Sequence, residues 1–298
     1  MKAPIPAVML FLLAAAAHPA HAFTLSDFEA PESVLVDPED GAYYVSNVNG
    51  ATGDKDGNGY ISKIGPNGKI VIQKFIGGRK EDHPLHAPKG LALLGNRLFV
   101  TDIDTVKVFD KRTRKIVAIV DLSGLHATFL NDIATDVFGN LYVSDTLEDR
   151  IFLIRPEKGY AVSVFKESAD LGGPNGLMVN PHNRNLMVVT WKTGRILEID
   201  PFGNIHVLKK GLEALDGITY DGAGNLYVSS FENGEIHRVA HLGRGSLTTF
   251  VTGLLTPADI SYDYKKNELL VPSFRGGRIA TLPRNPDAPS PGKDSPRR

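Results

Sequence analysis

The chain has 298 residues, 42% hydrophobic and 22% charged, a composition that excludes a wholly disordered protein and suits a globular one with a substantial core. Its formal charge of −1 comes with no concentrated basic patch, which argues against nucleic acid as a partner. The absence of cysteine excludes a disulfide framework, a lipid-modified cysteine anchor and thiolate chemistry.

Residues 1–22 differ in kind from the rest. Lys2 supplies a basic start, Val8 to Ala17 an apolar run and Ala20-His21-Ala22 a small-x-small cleavage site, the pattern of a signal peptide removed after Ala22. The run is too short for a membrane span and Pro19 follows it. A periplasmic or secreted protein is expected.

From Glu32 onward one unit recurs. It reads ESVLVDPEDGAYYVSN near Glu32, KGLALLGNRLFVTD near Lys89 and NDIATDVFGNLYVSD near Asn131. Further copies are NGLMVNPHNRNLMVVT near Asn175, DGITYDGAGNLYVSS near Asp216 and ADISYDYKKNELLVPS near Ala258. Val45, Val100, Val143, Val188, Val228 and Val271 mark equivalent points, 40 to 55 residues apart. Each unit holds four short β-like runs separated by Gly, Asp, Asn and Pro clusters, and sustained helical periodicity is absent. Blade 3, for instance, reads as Asp132–Thr135, Leu141–Ser144, Arg150–Ile154 and Ala161–Phe165. The expectation is an all-β, six-bladed β-propeller over residues 23–282, with almost no helix.

Blade 6 is one strand short. Asp259–Tyr262, Glu268–Val271 and Arg278–Leu282 run straight into a tail with five prolines in residues 283–298, expected to be disordered. The unassigned segment Phe23–Phe28 is therefore expected to supply the outermost strand of blade 6 and close the ring. In blade 1, Asp54-Lys55-Asp56-Gly57-Asn58-Gly59 looks like the start of a calcium loop, but Gly65 stands where the bidentate Glu belongs. A Gly-rich hairpin loop is the better reading, and as part of the long Asn47–Gly59 connection it is a candidate lid.

Aligning the copies puts one residue of each blade at the entry to its first strand: Glu32, Lys89, Asn131, Asn175, Asp216 and Ala258. Innermost strands converge on the central channel of a propeller, so these positions form a ring. Asn and Asp also cap backbone N–H groups where loops turn into strands. Two carboxylates and two amides at a single register make the better case for a hard-cation site, suited to Ca²⁺ or Mg²⁺. Asp216, and after it Asp132, are the candidates for moving protons. Lys89 either binds an anionic substrate group or neutralises the ring. His83, His86 and His126 fall in loops at the channel mouth, where one is expected to serve as a base or substrate contact, and Trp191, Phe231 and Phe274 are candidates for an aromatic rim.

Pro31-Glu32, Asn131-Asp132, Asn175-Gly176 and Asp216-Gly217 together resemble the gluconolactonase, regucalcin (senescence marker protein) and paraoxonase-like group of six-bladed calcium propellers. The resemblance extends from Phe23 to Leu282. It implies that Glu32, Asn131, Asn175 and Asp216 bind a catalytic divalent ion, Ca²⁺ or another such as Mg²⁺, Mn²⁺ or Zn²⁺. It implies also a metal-assisted hydrolase acting on a small lactone or ester. Lys89 at the blade 2 position departs from the family's enzymes. Lys89, from its place in the ring, and His126, Trp191 and Phe274, from their loops, are the candidate substrate contacts. The alternative from another class is a non-catalytic ligand-binding or protein-interaction propeller of the NHL-repeat kind.

Overall fold

The computed structural model describes residues 24–78 and 84–283, and the structural statements below concern these residues. The leader, Phe23, His83 and the tail beyond Pro283 lie outside them. Six four-stranded antiparallel sheets form the ring of a β-propeller. The innermost strands are Pro31–Val36, Pro88–Leu94, Leu130–Thr135, Pro174–Val179, Leu215–Tyr220 and Ser261–Asp263. Helix is confined to three single 3₁₀ turns, at Ser123–Leu125, Pro156–Lys158 and Ala169–Leu171. No helix is long and apolar enough to cross a membrane.

Burial falls from the axis outward, because inner strands are covered on both faces by neighbouring blades while outer ones face water. Leu215–Tyr220 is buried throughout, whereas the outer strand Ala161–Glu167 has no fully buried residue. The apolar core is accordingly split into wedges between adjacent blades. Tyr44, Ile61, Leu91 and Val100 fill the first, and Met187, Ile196, Ile218 and Val228 fill the one between blades 4 and 5.

The chain start closes the ring as expected, though with a shorter strand. Thr24–Leu25 pairs with Arg278–Pro283 at the outer edge of blade 6, and Phe28 is buried between blades 6 and 1. The innermost strand of blade 6 departs from expectation: it begins at Ser261 rather than Asp259. Pro272 occupies the position held by a hydroxyl residue in blade 5, so the backbone at Asp259 turns to blade 1, where its N–H donates to the Glu32 carbonyl at 2.9 Å.

A repeated irregularity shapes the inner strands. In blades 1 to 5 the pairing of first and second strands slips at the same point, between Pro31 and Val34, Pro88 and Leu91, Leu130 and Ile133, Pro174 and Leu177, and Leu215 and Ile218. A bulge of this kind releases residues from the ladder and re-aims their side chains. Hydroxyl groups satisfy the freed backbone. Ser144 Oγ accepts from Asp132 N–H at 2.9 Å and donates to the Asn175 carbonyl of the next blade at 2.8 Å. Ser229 Oγ accepts from Gly217 N–H and donates to the Ala258 carbonyl, both at 2.8 Å. Neighbouring inner strands also approach closely, since a Cβ on Gly217 would lie 2.3 Å from the Ile260 nitrogen.

Ser229→Ala leaves a buried N–H and a buried carbonyl without partners and is expected to cost about 1–3 kcal/mol per orphaned group. Denaturant unfolding checks this. Ser229→Thr, which keeps the hydroxyl, is expected to lose much less.

Candidate functional site

The bulge sets the site. Glu32, Lys89, Asn131, Asn175 and Asp216 are each the second residue of an innermost strand, inside the slipped register, and all five are buried. They line the floor of a cavity of about 350 Å³ at the mouth of the channel. Ala258, at the sixth position, contributes its backbone carbonyl to Ser229 and no polar side chain.

Three oxygens on this floor lack a hydrogen-bond partner: Glu32 Oε2, Asn175 Oδ1 and Asp216 Oδ1. Buried polar atoms are normally satisfied, so such a group needs a physical reason. They come from blades 1, 4 and 5, which means the ring closure and not local sequence brings them together. Hard, oxygen-only donors with no thiol or imidazole suit a divalent cation of the calcium or magnesium type. No group of three His, Cys, Asp or Glu side chains is arranged to hold a metal among the described residues, so an ion here depends on the Asn131 and Asn175 amides as well as the two carboxylates.

Burial dominates the electrostatics. It pushes the Glu32 carboxyl well above the usual range, with Asp216 adding repulsion and Lys89 partly opposing. Asp216 is raised to about 8 by burial and then by Asp132. Lys89 is lowered to about 8, again by burial, against the attraction of Glu32. Its ammonium donates to the carbonyls of Thr52 at 2.9 Å and Ala87 at 3.2 Å, and lies 4.3 Å from the centre of the Phe129 ring. The Asn47–Gly59 connection thus reaches the cavity through Thr52, which lines it.

Asp132 is placed differently from its neighbour Asn131. Its oxygens accept from Ile133 N–H at 2.7 Å and Leu177 N–H at 2.6 Å, and it lines a second cavity farther along the channel with Ser33 and Asp259. Burial still raises it to about 6, against those two N–H groups. Asp259 is raised well above the usual range by burial and by Asp132 and Glu32. Four acidic groups therefore crowd the axis.

Trp191, Phe231 and Phe274 form a connected aromatic wall above the floor, with ring centres 5.4 Å apart for the first pair and 5.7 Å for the second. His126 is not part of the lining. It is exposed, in a left-handed conformation after the Ser123–Leu125 turn. His86 lines a separate cavity, where its Nδ1 accepts from Gly57 N–H at 3.0 Å and burial lowers its pKa. No histidine lines the main cavity among the described residues.

Sequence reasoning missed Thr52, Phe129, Thr146, Leu147, Glu232 and Arg275, which complete the lining. A signal for Phe129 was present in the last residue of YVSD. Asp145 accepts from the N–H groups of Thr128 and Phe129, at 2.9 and 3.1 Å, and so fixes the loop that presents the ring to Lys89. Asp102, ending FVTD, does the same for His86 and Ala87.

Six blades around a channel whose mouth is built from strand-entry side chains define a propeller with a cavity on one face. The chain belongs to the SMP-30/gluconolactonase/LRE-like family, whose model matches residues 21–252. Among curated proteins none matches. Among solved structures the fold is similar to virginiamycin B lyase from Staphylococcus aureus, at 15% identity and a TM-score of 0.64, covering 88% of this chain and 98% of that one. It is also similar to an auxiliary nutrient binding protein from Bacteroides thetaiotaomicron, at 13% identity and a TM-score of 0.67, covering 85% and 69%. A chain of a nidogen/laminin complex aligns at 23% identity and a TM-score of 0.59, covering 74% and 80%. Likeness at these identities shows the fold.

A carboxyl whose folded pKa is raised stabilises the protein below its unfolded value and loses that contribution as pH rises toward the folded value. For metal-free protein, Glu32, Asp216 and Asp259 act in this sense, so thermal stability is expected to fall between about pH 4 and pH 8. Added Ca²⁺ is expected to flatten the fall, since a cation favours the ionised carboxylates. Thermal melts across that range, chelated and calcium-loaded, test both statements.

Proposed function

We propose that the protein is a periplasmic, metal-dependent hydrolase of lactones or related esters. The observation that carries this reading is the set of unpartnered buried oxygens of Glu32, Asn175 and Asp216 on the cavity floor. Family membership supports it. Glu32, Asn131, Asn175 and Asp216 would hold the divalent ion, which when bound would polarise the substrate carbonyl as a Lewis acid.

The chain's own groups divide the remaining work. Lys89 has three ammonium donors and spends two on Thr52 and Ala87, leaving one for a substrate oxygen. Asp216 takes a proton from the attacking water at its carboxylate. As the acyl–oxygen bond breaks, that proton passes to the leaving alkoxide, giving a hydroxy acid from a lactone. Asp132, held by two backbone N–H groups beside the other cavity, is a supporting negative charge in this scheme. The aromatic wall excludes water from one side of the reacting group.

One observation favours a second reading. Lys89 is itself a cation beside Glu32, so it can serve as a built-in counter-ion in a metal-free, non-catalytic ligand-binding propeller. The similar folds include a nutrient binding protein, which is compatible with that role.

Hydrolysis of a lactone and aryl-ester panel is expected to vanish on chelation and return with Ca²⁺ or another divalent ion. Asp216→Ala is expected to lower kcat/KM by at least about 100-fold, no less than loss of an outer-shell metal partner. Turnover unaffected by chelation would overturn the metal-dependent reading. Because a similar fold is a lyase, product mass matters: hydrolysis adds one water, and an unchanged mass would mean cleavage by elimination. Lys89→Met is expected to tighten Ca²⁺ binding by about ten-fold, the equivalent of ~1.4 kcal/mol, as read by calorimetry. Unchanged affinity would remove Lys89 as a competing cation.

A further inference from the structure

We infer that the cavity takes a carbonyl compound bearing an apolar alkyl or aryl group, and that a polyhydroxylated sugar lactone is a poor fit. The inference rests on the hydrolase reading in two respects: it places the reacting carbonyl at the floor and gives the unpartnered floor oxygens to the ion. It deepens that reading by naming what the rest of the substrate must be.

The orphaned oxygens of Glu32, Asn175 and Asp216 are committed to the ion, and Lys89 has two of its donors occupied. Thr146 Oγ1 donates to the Pro174 carbonyl at 2.8 Å. Glu232 and Arg275 pair with each other through two hydrogen bonds, at 3.1 and 3.2 Å, and the guanidinium lies 5.4 Å from the centre of the Phe231 ring. The rim charges therefore satisfy one another, and the other cation of the lining, Lys89, sits on the floor, away from a substrate tail at the rim.

Most of what meets the body of the substrate is hydrocarbon. Phe129, Leu147, Trp191, Phe231 and Phe274 line the cavity above the floor. Leu147 is 55% exposed, an apolar side chain that the described residues leave uncovered. The single polar handle among these five is the Trp191 indole N–H, a donor only. Several hydroxyls seated here would be desolvated without partners, which disfavours a polyol, whereas a ring or alkyl chain gains from contact with the aromatic faces. The volume of about 350 Å³ lies near the small end of ligand clefts, which run from roughly 300 to 1,000 Å³. A compact ligand is implied.

Trp191 is the only tryptophan in the chain, so its fluorescence reports occupancy of this wall without interference. The test uses two lactams that resist turnover, 5-hexylpyrrolidin-2-one and glucono-δ-lactam, titrated into calcium-loaded full-length mature protein. The hexyl lactam is expected to change Trp191 emission saturably, and the gluconolactam is expected not to. Leu147→Asn, at an exposed position that does not threaten folding, and Phe274→Ala are each expected to weaken the hexyl lactam by about ten-fold or more, the scale of losing one buried apolar side chain. Equal or tighter binding of the gluconolactam, no binding of either, or unchanged affinity in both variants would overturn the inference. Turnover of γ-decalactone and glucono-δ-lactone, measured alongside, separates the two ideas. Hexyl lactam binding without hydrolysis of either lactone sinks the hydrolase and leaves the apolar wall. Preferential hydrolysis of glucono-δ-lactone does the reverse.

Discussion

The structure depends on how the inner strand of one blade is fastened to the next. A hydroxyl on the second strand accepts the backbone N–H that the bulge has released and donates across the gap to the carbonyl of a site-position residue. Ser144 links Asp132 to Asn175 in this way, and Ser229 links Gly217 to Ala258. Thr101 reaches the Asn131 carbonyl from blade 2. Each bond satisfies groups that would otherwise be buried and unpaired, and it also sets the height of a site residue along the axis. The ring is thus held together at the level where the cavity-lining side chains of the inner strands sit.

That arrangement carries an electrostatic cost. Bringing six inner strands to one axis places Glu32, Asp132, Asp216 and Asp259 within mutual influence, and burial raises all four carboxyl pKa values. Three kinds of positive charge can relieve the crowding: protons, an ammonium or a metal ion. Lys89 supplies an internal ammonium, but its contacts with Thr52, Ala87 and the Phe129 ring hold it to one side of the floor. Glu32 Oε2, Asn175 Oδ1 and Asp216 Oδ1 remain without partners on that floor. Above them the aromatic wall lowers the local polarity, which strengthens any charge interaction made beneath it.

Much of this was legible in the chain. The recurrence of YVSN, FVTD, YVSD and YVSS implied blades, and the missing last strand of blade 6 implied that the chain start must fill it, as Thr24–Leu25 does. Aligning the copies put Glu32, Lys89, Asn131, Asn175 and Asp216 at one register because equivalent positions in a repeat occupy equivalent places. The serines and aspartates ending the second strands were equally visible, yet their roles were not read. Ser144 acts on a residue 31 positions away and Asp145 on one 16 positions away, and no local pattern names those partners. His86 and His126 show the opposite failure: a loop position did not say which cavity a side chain lines, and His126 is exposed outside the main cavity while His86 lines another.

The sequence by itself determined the number of blades, the closure of the ring and the register that holds the site, because these follow from periodicity and from edges that must be paired. Only the tertiary structure decided which side chains share a cavity. Consecutive residues in a bulged strand take different directions, so Asn131 faces the upper cavity and Asp132 the lower one. The aromatic wall comes from three blades whose loops meet only once the ring is closed, and its packing is set by contacts between residues 40 or more positions apart.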